Sequence, residues 1–124
     1  MIEKYFLCVD GIHIKNGKIL LLKRNVEPFK GCWHVIGGHV EENETPKQAL
    51  VREFKEETNL DVEIGEIIDA RIEKTSDRTK IIVAYRVNSA KGKIRLNSES
   101  EAYGWFTHTP NNSVYNYDEH LQKK

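Results

Sequence analysis

Three glutamates, Glu53, Glu56 and Glu57, and the arginine before them, Arg52, lie in a stretch from Gly37 to Leu60 that opens on two glycines. At about 100° per residue of α-helix, Glu56 and Glu57 fall roughly 60° to one side and roughly 40° to the other of Glu53. The three carboxylates therefore share one narrow face. Like charges three and four residues apart repel, and helix propensity alone does not ask for such a cluster. A hard cation bound by oxygen ligands reverses that cost, which makes the face a candidate magnesium site, with manganese a plausible replacement in vitro. Arg52, four residues before Glu56, is spaced to pair with it and to reach back toward the preceding loop.

The helix that must aim these groups is well marked. Thr45 is placed as N-cap, Pro46 as the first helical residue and Gln48 as the partner that completes a capping box. Leu50, Val51, Phe54 and Thr58 form the expected core-facing stripe, and Ala49 leaves room beneath the acidic face for the glycines. Asn59 is expected as a left-handed C-cap. Gly37-Gly38 is read as a turn whose backbone approaches a ligand, fed by a short strand over Gly31–Ile36.

The remaining chain is strand-rich. Tyr5–Ile14 and Lys18–Arg24 flank Asn16-Gly17, a strong type I′ signal, and are expected to form an antiparallel hairpin. Leu60, Val62 and Ile64 alternate with polar residues. Further strands are expected at Ile67–Glu73, Lys80–Val87, Ile94–Leu96 and Ala102–Phe106, and a short helix over Tyr117–Lys124. Residues 1–124 are expected to make one domain, of α/β class with helices on a mixed, largely antiparallel sheet.

Composition removes several function classes. Nineteen basic residues balance nineteen acidic ones, so there is no overall field of the kind that draws nucleic acid or a membrane surface. No apolar run approaches the roughly 20 residues that span a bilayer, and the N-terminus lacks an apolar signal core, so the expected location is cytoplasmic. Cys8 and Cys32 lack zinc-ligand spacing and are expected to be reduced, structural thiols.

With these marks in place, Gly38, Glu44, Arg52-Glu53-Phe54, Glu56-Glu57 and Leu60 together resemble the Nudix hydrolase box, with Asn59 where the family carries its last glycine. Asn can hold the same positive φ at modest cost. The resemblance covers roughly Tyr5 to Phe106. It implies a Nudix-type α/β/α sandwich and hydrolysis of a pyrophosphate bond in a nucleoside diphosphate linked to another group. It further implies Glu56, Glu57 and the Gly37 carbonyl as metal ligands, and Glu53 as ligand or general base. Arg52 would orient a glutamate, and Glu44 would support the loop. The family's late carboxylate would be Glu99, with Glu101 second. Candidate phosphate contacts are Lys23, Arg24, Arg71, Arg78 and Lys80. Lys23-Arg24 has a bland reading as a solvated strand end. Phe6, Phe29 and Trp33 are candidate stacking groups, Trp33 equally a sheet-packing ring, and Gly38 is a candidate backbone contact. The implied partner is a small nucleotide, most simply a nucleoside triphosphate or nucleotide-sugar. ADP-ribose cleavage, or a nucleotide-sensing module without turnover, is the alternative, and the sequence leaves open a homodimer.

Overall fold

The structure is a computed structural model and describes residues 4–122. Its elements in order are β1 (Lys4–Ile12), β2 (Ile14–Lys15), β3 (Lys18–Arg24), β4 (Trp33–His34), β5 (Ile36–His39), α1 (Pro46–Thr58), β6 (Asp61–Lys74), β7 (Arg78–Lys91), β8 (Ser100–Phe106) and α2 (Asp118–Gln122). One four-stranded sheet has the order β5-β1-β7-β6, in which only β1 and β7 run parallel. In the other, β8 runs along one edge of β3, while β2 and β4 share its opposite edge at the two ends.

Period-two alternation divides the apolar side chains between two faces. Leu20 and Leu22 join Val9, Ile36 and Tyr85 against Leu50 and Phe54 of α1. Ile19 and Leu21 join Ile12, Val35 and Ala84 against Tyr117, with Leu121 of α2 packed alongside. Helical segments thus cover both faces, as the sandwich expectation requires.

The α1 boundaries follow from local chemistry. Thr45 Oγ1 accepts the Gln48 N–H at 3.1 Å and Gln48 Oε1 accepts the Thr45 N–H at 2.8 Å, closing the capping box. Asn59 takes φ 67° and donates its N–H to the Lys55 carbonyl. Ala49, Leu50, Phe54 and Thr58 are buried, whereas Val51 is exposed, contrary to the expected stripe. Val51 lies about 160° around the helix from Glu53, beyond the arc the sheet covers.

Four other expectations change. The Asn16-Gly17 turn forms with both φ values positive, yet it joins only β2 to β3. The chain crosses between sheets at His13, so β1 pairs with β5 and β7 rather than with β3. Gly37-Gly38 is not a turn. It lies inside β5, with Gly37 opposite Asp10 and Gly38 opposite Val9. The two runs from Leu60 to Glu73 merge from Asp61 onward into a single strand, β6, whose register against β7 shifts at Glu63/Ile64, Ile64/Ile67 and Ile67/Asp69. Ile94–Leu96 forms no strand, because its backbone finds the helix terminus instead: the Arg95 N–H donates to the Thr58 carbonyl at 2.9 Å. The expected C-terminal helix spans Asp118–Gln122; Lys123 and Lys124 lie outside the described residues.

Close approach, rather than positive φ, explains the paired glycines. A Cβ on Gly37 would sit 2.2 Å from the Val9 carbonyl oxygen, and one on Gly38 would sit 2.5 Å from Glu53 Oε2. Gly37→Ala forces backbone against backbone and is expected to lower unfolding free energy by about 1–3 kcal/mol, read from urea denaturation. An unchanged midpoint would mean that β5 can slide away from β1.

Candidate active site

Arg52 organises the acidic face. Its Nη2 donates to Glu44 Oε1 at 2.7 Å and to the His39 carbonyl at 3.1 Å, and its Nε donates to Glu44 Oε2 at 3.1 Å. Nη1 donates to Glu53 Oε1 at 2.6 Å and to Glu56 at 3.2 Å. One guanidinium therefore ties the box loop, the end of β5 and two helical carboxylates together. Hydrogen bonds from Arg52, and then from the Glu41 N–H, hold the Glu44 carboxyl below the usual carboxylate range.

Glu57 has no such cation. Its side chain is buried, at 5 % exposure, and its Oε2 has no hydrogen-bond partner among the described residues. Burial pushes its carboxyl up to about 10, reinforced by a hydrogen bond with Glu53 and by the charges of Glu53, Glu99 and Glu56. A buried, unpaired carboxylate oxygen among other carboxylates is costly unless a cation or a proton joins it. The donor set is all hard oxygen and fits a magnesium-like ion.

These groups line a cavity of about 560 Å³ bounded by Gly38, Arg52, Glu53, Glu56, Glu57 and Glu99. Asn97 secures the late loop to the helix, donating to the Glu56 carbonyl at 3.0 Å and accepting the Glu99 N–H at 2.9 Å. Glu101, two residues further on, turns to Lys23 at 3.4 Å and lines neither this cavity nor its neighbour.

A second cleft of about 440 Å³ shares Gly38, Glu53, Glu57 and Glu99 with the first and continues past Gly37 over Asp10 and Cys8. Its walls carry Arg24, Arg78 and Lys80 as cations and Phe29, Tyr115 and Tyr117 as rings. Three expected contacts sit elsewhere. Lys23 is engaged with Glu101. Trp33 packs edge-on against Phe106 with centroids 4.8 Å apart, its sheet-packing reading. Arg71 lies behind the cleft, 3.7 Å from Asp10 and 3.8 Å from the centroid of the Tyr115 ring. Phe6 is partnered by His39 and by Arg78 above its ring. Burial and then the Arg24 charge lower His34 to about 4, so it is neutral near pH 7.

The NUDIX domain model matches residues 4–120 of this sequence. The chain belongs to the Nudix family. It is 34 % identical over 98 residues to a CTP pyrophosphohydrolase of Escherichia coli, covering 78 % of this chain and 72 % of that one. It is 57 % identical over 54 residues to an ADP-ribose pyrophosphatase of Methanocaldococcus jannaschii, a match spanning 44 % of this chain and 32 % of that enzyme. A MutT Nudix hydrolase of Burkholderia pseudomallei superposes with a TM-score of 0.78 at 27 % identity, covering 85 % of this chain and 84 % of the other. Nudix hydrolases are generally dependent on a divalent metal.

Several residues that line the two cavities were not singled out in the sequence. Asp10 of β1, Asn97 of the connection before β8, and Tyr115 and Tyr117 of the connection between β8 and α2 come from three different segments, and of these only Asp10 carried a signal, a lone charge within the apolar run Phe6–Ile12. Outside both cavities, Asp69, Glu119 and His120 bring three ligand atoms within 4.8 Å of one another. No helix among the described residues is long and apolar enough to cross a membrane.

The Glu57 environment sets a pH dependence. The unfolded chain releases the Glu57 proton near the usual 4.5, whereas the folded protein keeps it up to about 10. Raising pH across that interval therefore favours unfolding. Without metal, the melting temperature is expected to fall from about pH 5 to about pH 9, with millimolar magnesium to offset most of the fall, and in Glu57→Gln to lose its Glu57-dependent slope. An identical slope in the variant would remove Glu57 as the titrating group.

Proposed function

We propose that this Nudix protein is a magnesium-dependent pyrophosphohydrolase acting on a nucleoside diphosphate linked to another group, with a nucleoside triphosphate or a nucleotide-sugar as substrate. The observation that carries the reading is the continuity of two surfaces: the cavity with the buried, unpaired Glu57 opens into a cleft walled by cations and aromatic rings. A diphosphate needs the first and a nucleoside the second.

Glu53, Glu56, Glu57, Glu99 and the Gly37 carbonyl would hold the ion. Neutralisation of the diphosphate oxygens and acidification of water are what magnesium supplies when bound. Glu53 accepts the proton of the water that attacks phosphorus as the bridging P–O bond breaks. Arg52 is a positioning residue: it fixes Glu53 by its 2.6 Å hydrogen bond and Glu44 by two more. Arg24, Arg78 and Lys80 meet phosphate oxygens, and Phe29 offers an exposed ring for stacking.

ADP-ribose cleavage is the second reading, supported by the 57 % identity over 54 residues to the archaeal enzyme. A pure nucleotide sensor is less favoured, since a binder gains nothing from keeping the carboxylate set around Glu53 and Glu57.

The deciding experiment is a panel of nucleoside triphosphates, nucleotide-sugars and ADP-ribose with magnesium, scored for phosphate, pyrophosphate and mononucleotide. Glu53→Gln is expected to lower kcat about 10²-fold or more while leaving the thermal melt in place; near-normal turnover would sink Glu53 as base. Glu99→Gln is expected to lower kcat/KM at least about tenfold and Glu101→Gln to leave it within about twofold; the reverse order would move the late carboxylate to Glu101.

A further inference from the structure

Asp10 stands where a structural carboxylate does not belong. It occupies the middle of β1 with strands on both sides, Gly37 of β5 opposite and Ala84 of β7 adjacent. Strand alternation puts it on the same face as Cys8 and Ile12, toward Tyr117 rather than toward α1. Its side chain is 18 % exposed, and its one ion-pair partner, Arg71, is 3.7 Å away, beyond hydrogen-bond distance. Among the described residues no group donates a hydrogen bond to the Asp10 carboxylate. A carboxylate kept largely from water without donors loses hydration that Arg71, out of hydrogen-bond reach, returns only in part. A ligand carrying N–H or O–H donors would return it.

The cleft identifies the end of the ligand concerned. Asp10 lines the same cleft as Glu53, Glu57, Arg24 and Phe29. A phosphate would be repelled by its charge, and of the uncharged ends a bound nucleotide offers, the stackable nucleoside is the one that suits a cleft lined by Phe29, Tyr115 and Tyr117. Among the bases, guanine presents two neighbouring donors, the ring N1–H and the 2-amino group, spaced to meet the two oxygens of one carboxylate. Adenine and cytosine place a ring-nitrogen acceptor beside their amino group, and uracil flanks its single N–H with two carbonyl oxygens. Each of those edges sets at least one lone pair against an anion. Arg71 behind the carboxylate, held by Glu73 at 3.6 Å and by the Tyr115 ring, gives Asp10 a fixed backing on the side away from the ligand.

We infer that Asp10 is a specificity-determining residue of this cleft, whose carboxylate accepts the paired N–H donors of a guanine-type base and so selects guanine nucleotides as the substrate class. The inference rests on the proposed nucleotide pyrophosphohydrolase reading and deepens it. Asp10 plays no part in the bond-breaking step. Its effect lies in which nucleoside the cleft retains.

Inosine triphosphate differs from GTP only by lacking the 2-amino group, which makes the pair a direct probe. With magnesium, kcat/KM is expected to be about 10- to 100-fold higher for GTP than for ITP, with ATP lower than GTP by at least as much. GTP and dGTP are expected to agree within about threefold. Asp10→Asn, which keeps the shape and exchanges one acceptor for donors, is expected to bring the GTP/ITP ratio to within about threefold of unity while the melting temperature holds. Equal use of GTP and ITP by the unaltered protein overturns the inference, whether or not the variant folds. So does a variant that keeps the original ratio, or one that changes the GTP/dGTP ratio instead, which would move the contact to the ribose. If no nucleotide in the panel is hydrolysed, the hydrolase reading fails by itself. The GTP/ITP ratio is then read from equilibrium binding in magnesium, where equal affinities overturn the Asp10 assignment.

Discussion

The guanidinium of Arg52 is the constraint on which the acidic face depends. Left alone, Glu53 and Glu56 on one helical face, with Glu44 in the preceding loop, would repel one another and swing outward. Arg52 gathers all three, and its bond to the His39 carbonyl ties them to the end of β5. The local charge is thereby partly neutralised on one side of Glu53 and left unbalanced on the other, where Glu57 is buried. That asymmetry leaves one side of the charged helix with a donor set that fits a cation.

The rest of the fold supplies the rigidity this arrangement needs. Phe54 and Leu50, on the flank of α1 beside the carboxylates, are fully buried and hold it against Val9 and Ile36. The glycines of β5 let the strand approach both Glu53 and β1 more closely than a Cβ would permit. Asn97, reaching from the late loop to the last turn of α1, brings Glu99 to the same cavity. Each contact is modest by itself. Together they leave the carboxylates few directions in which to relax, as preorganised ion and substrate sites require.

Two polar devices of opposite character thus meet in one continuous cleft. On the α1 side, carboxylates crowd with one buried oxygen unpaired. On the C-terminal side, Asp10 is backed by Arg71 while Tyr115 hydrogen-bonds Glu73. Cations at Arg24, Arg78 and Lys80 lie along the same cleft walls. A molecule with a polyanionic end and a donor-bearing, stackable end complements that sequence of environments.

Much of α1 was legible in the residues themselves because its determinants are local. Caps act over three or four residues, and helical periodicity alone brings Glu53, Glu56 and Glu57 to one face. Thr45, Pro46 and Asn59 accordingly fall where their types require, and the box spacing was enough to name the family. Val51 shows the limit: its place on the wheel is local, but how far the sheet wraps the helix is not. The division of β1 and β3 between two sheets, the continuity of β6 and the strand state of Gly37-Gly38 all depend on partners far away in sequence. Trp33 could stack on a base or on Phe106, and only the register of β3 with β4 and β8 decides for Phe106. Asp10 meets Arg71 only because both β1 and β6 pair with β7. Sequence alone thus determined the chemistry of the helix, since helical contacts repeat at fixed short intervals. Tertiary structure decided what surrounds the rest of the substrate, since sheet neighbours are chosen by long-range pairing that no local spacing records.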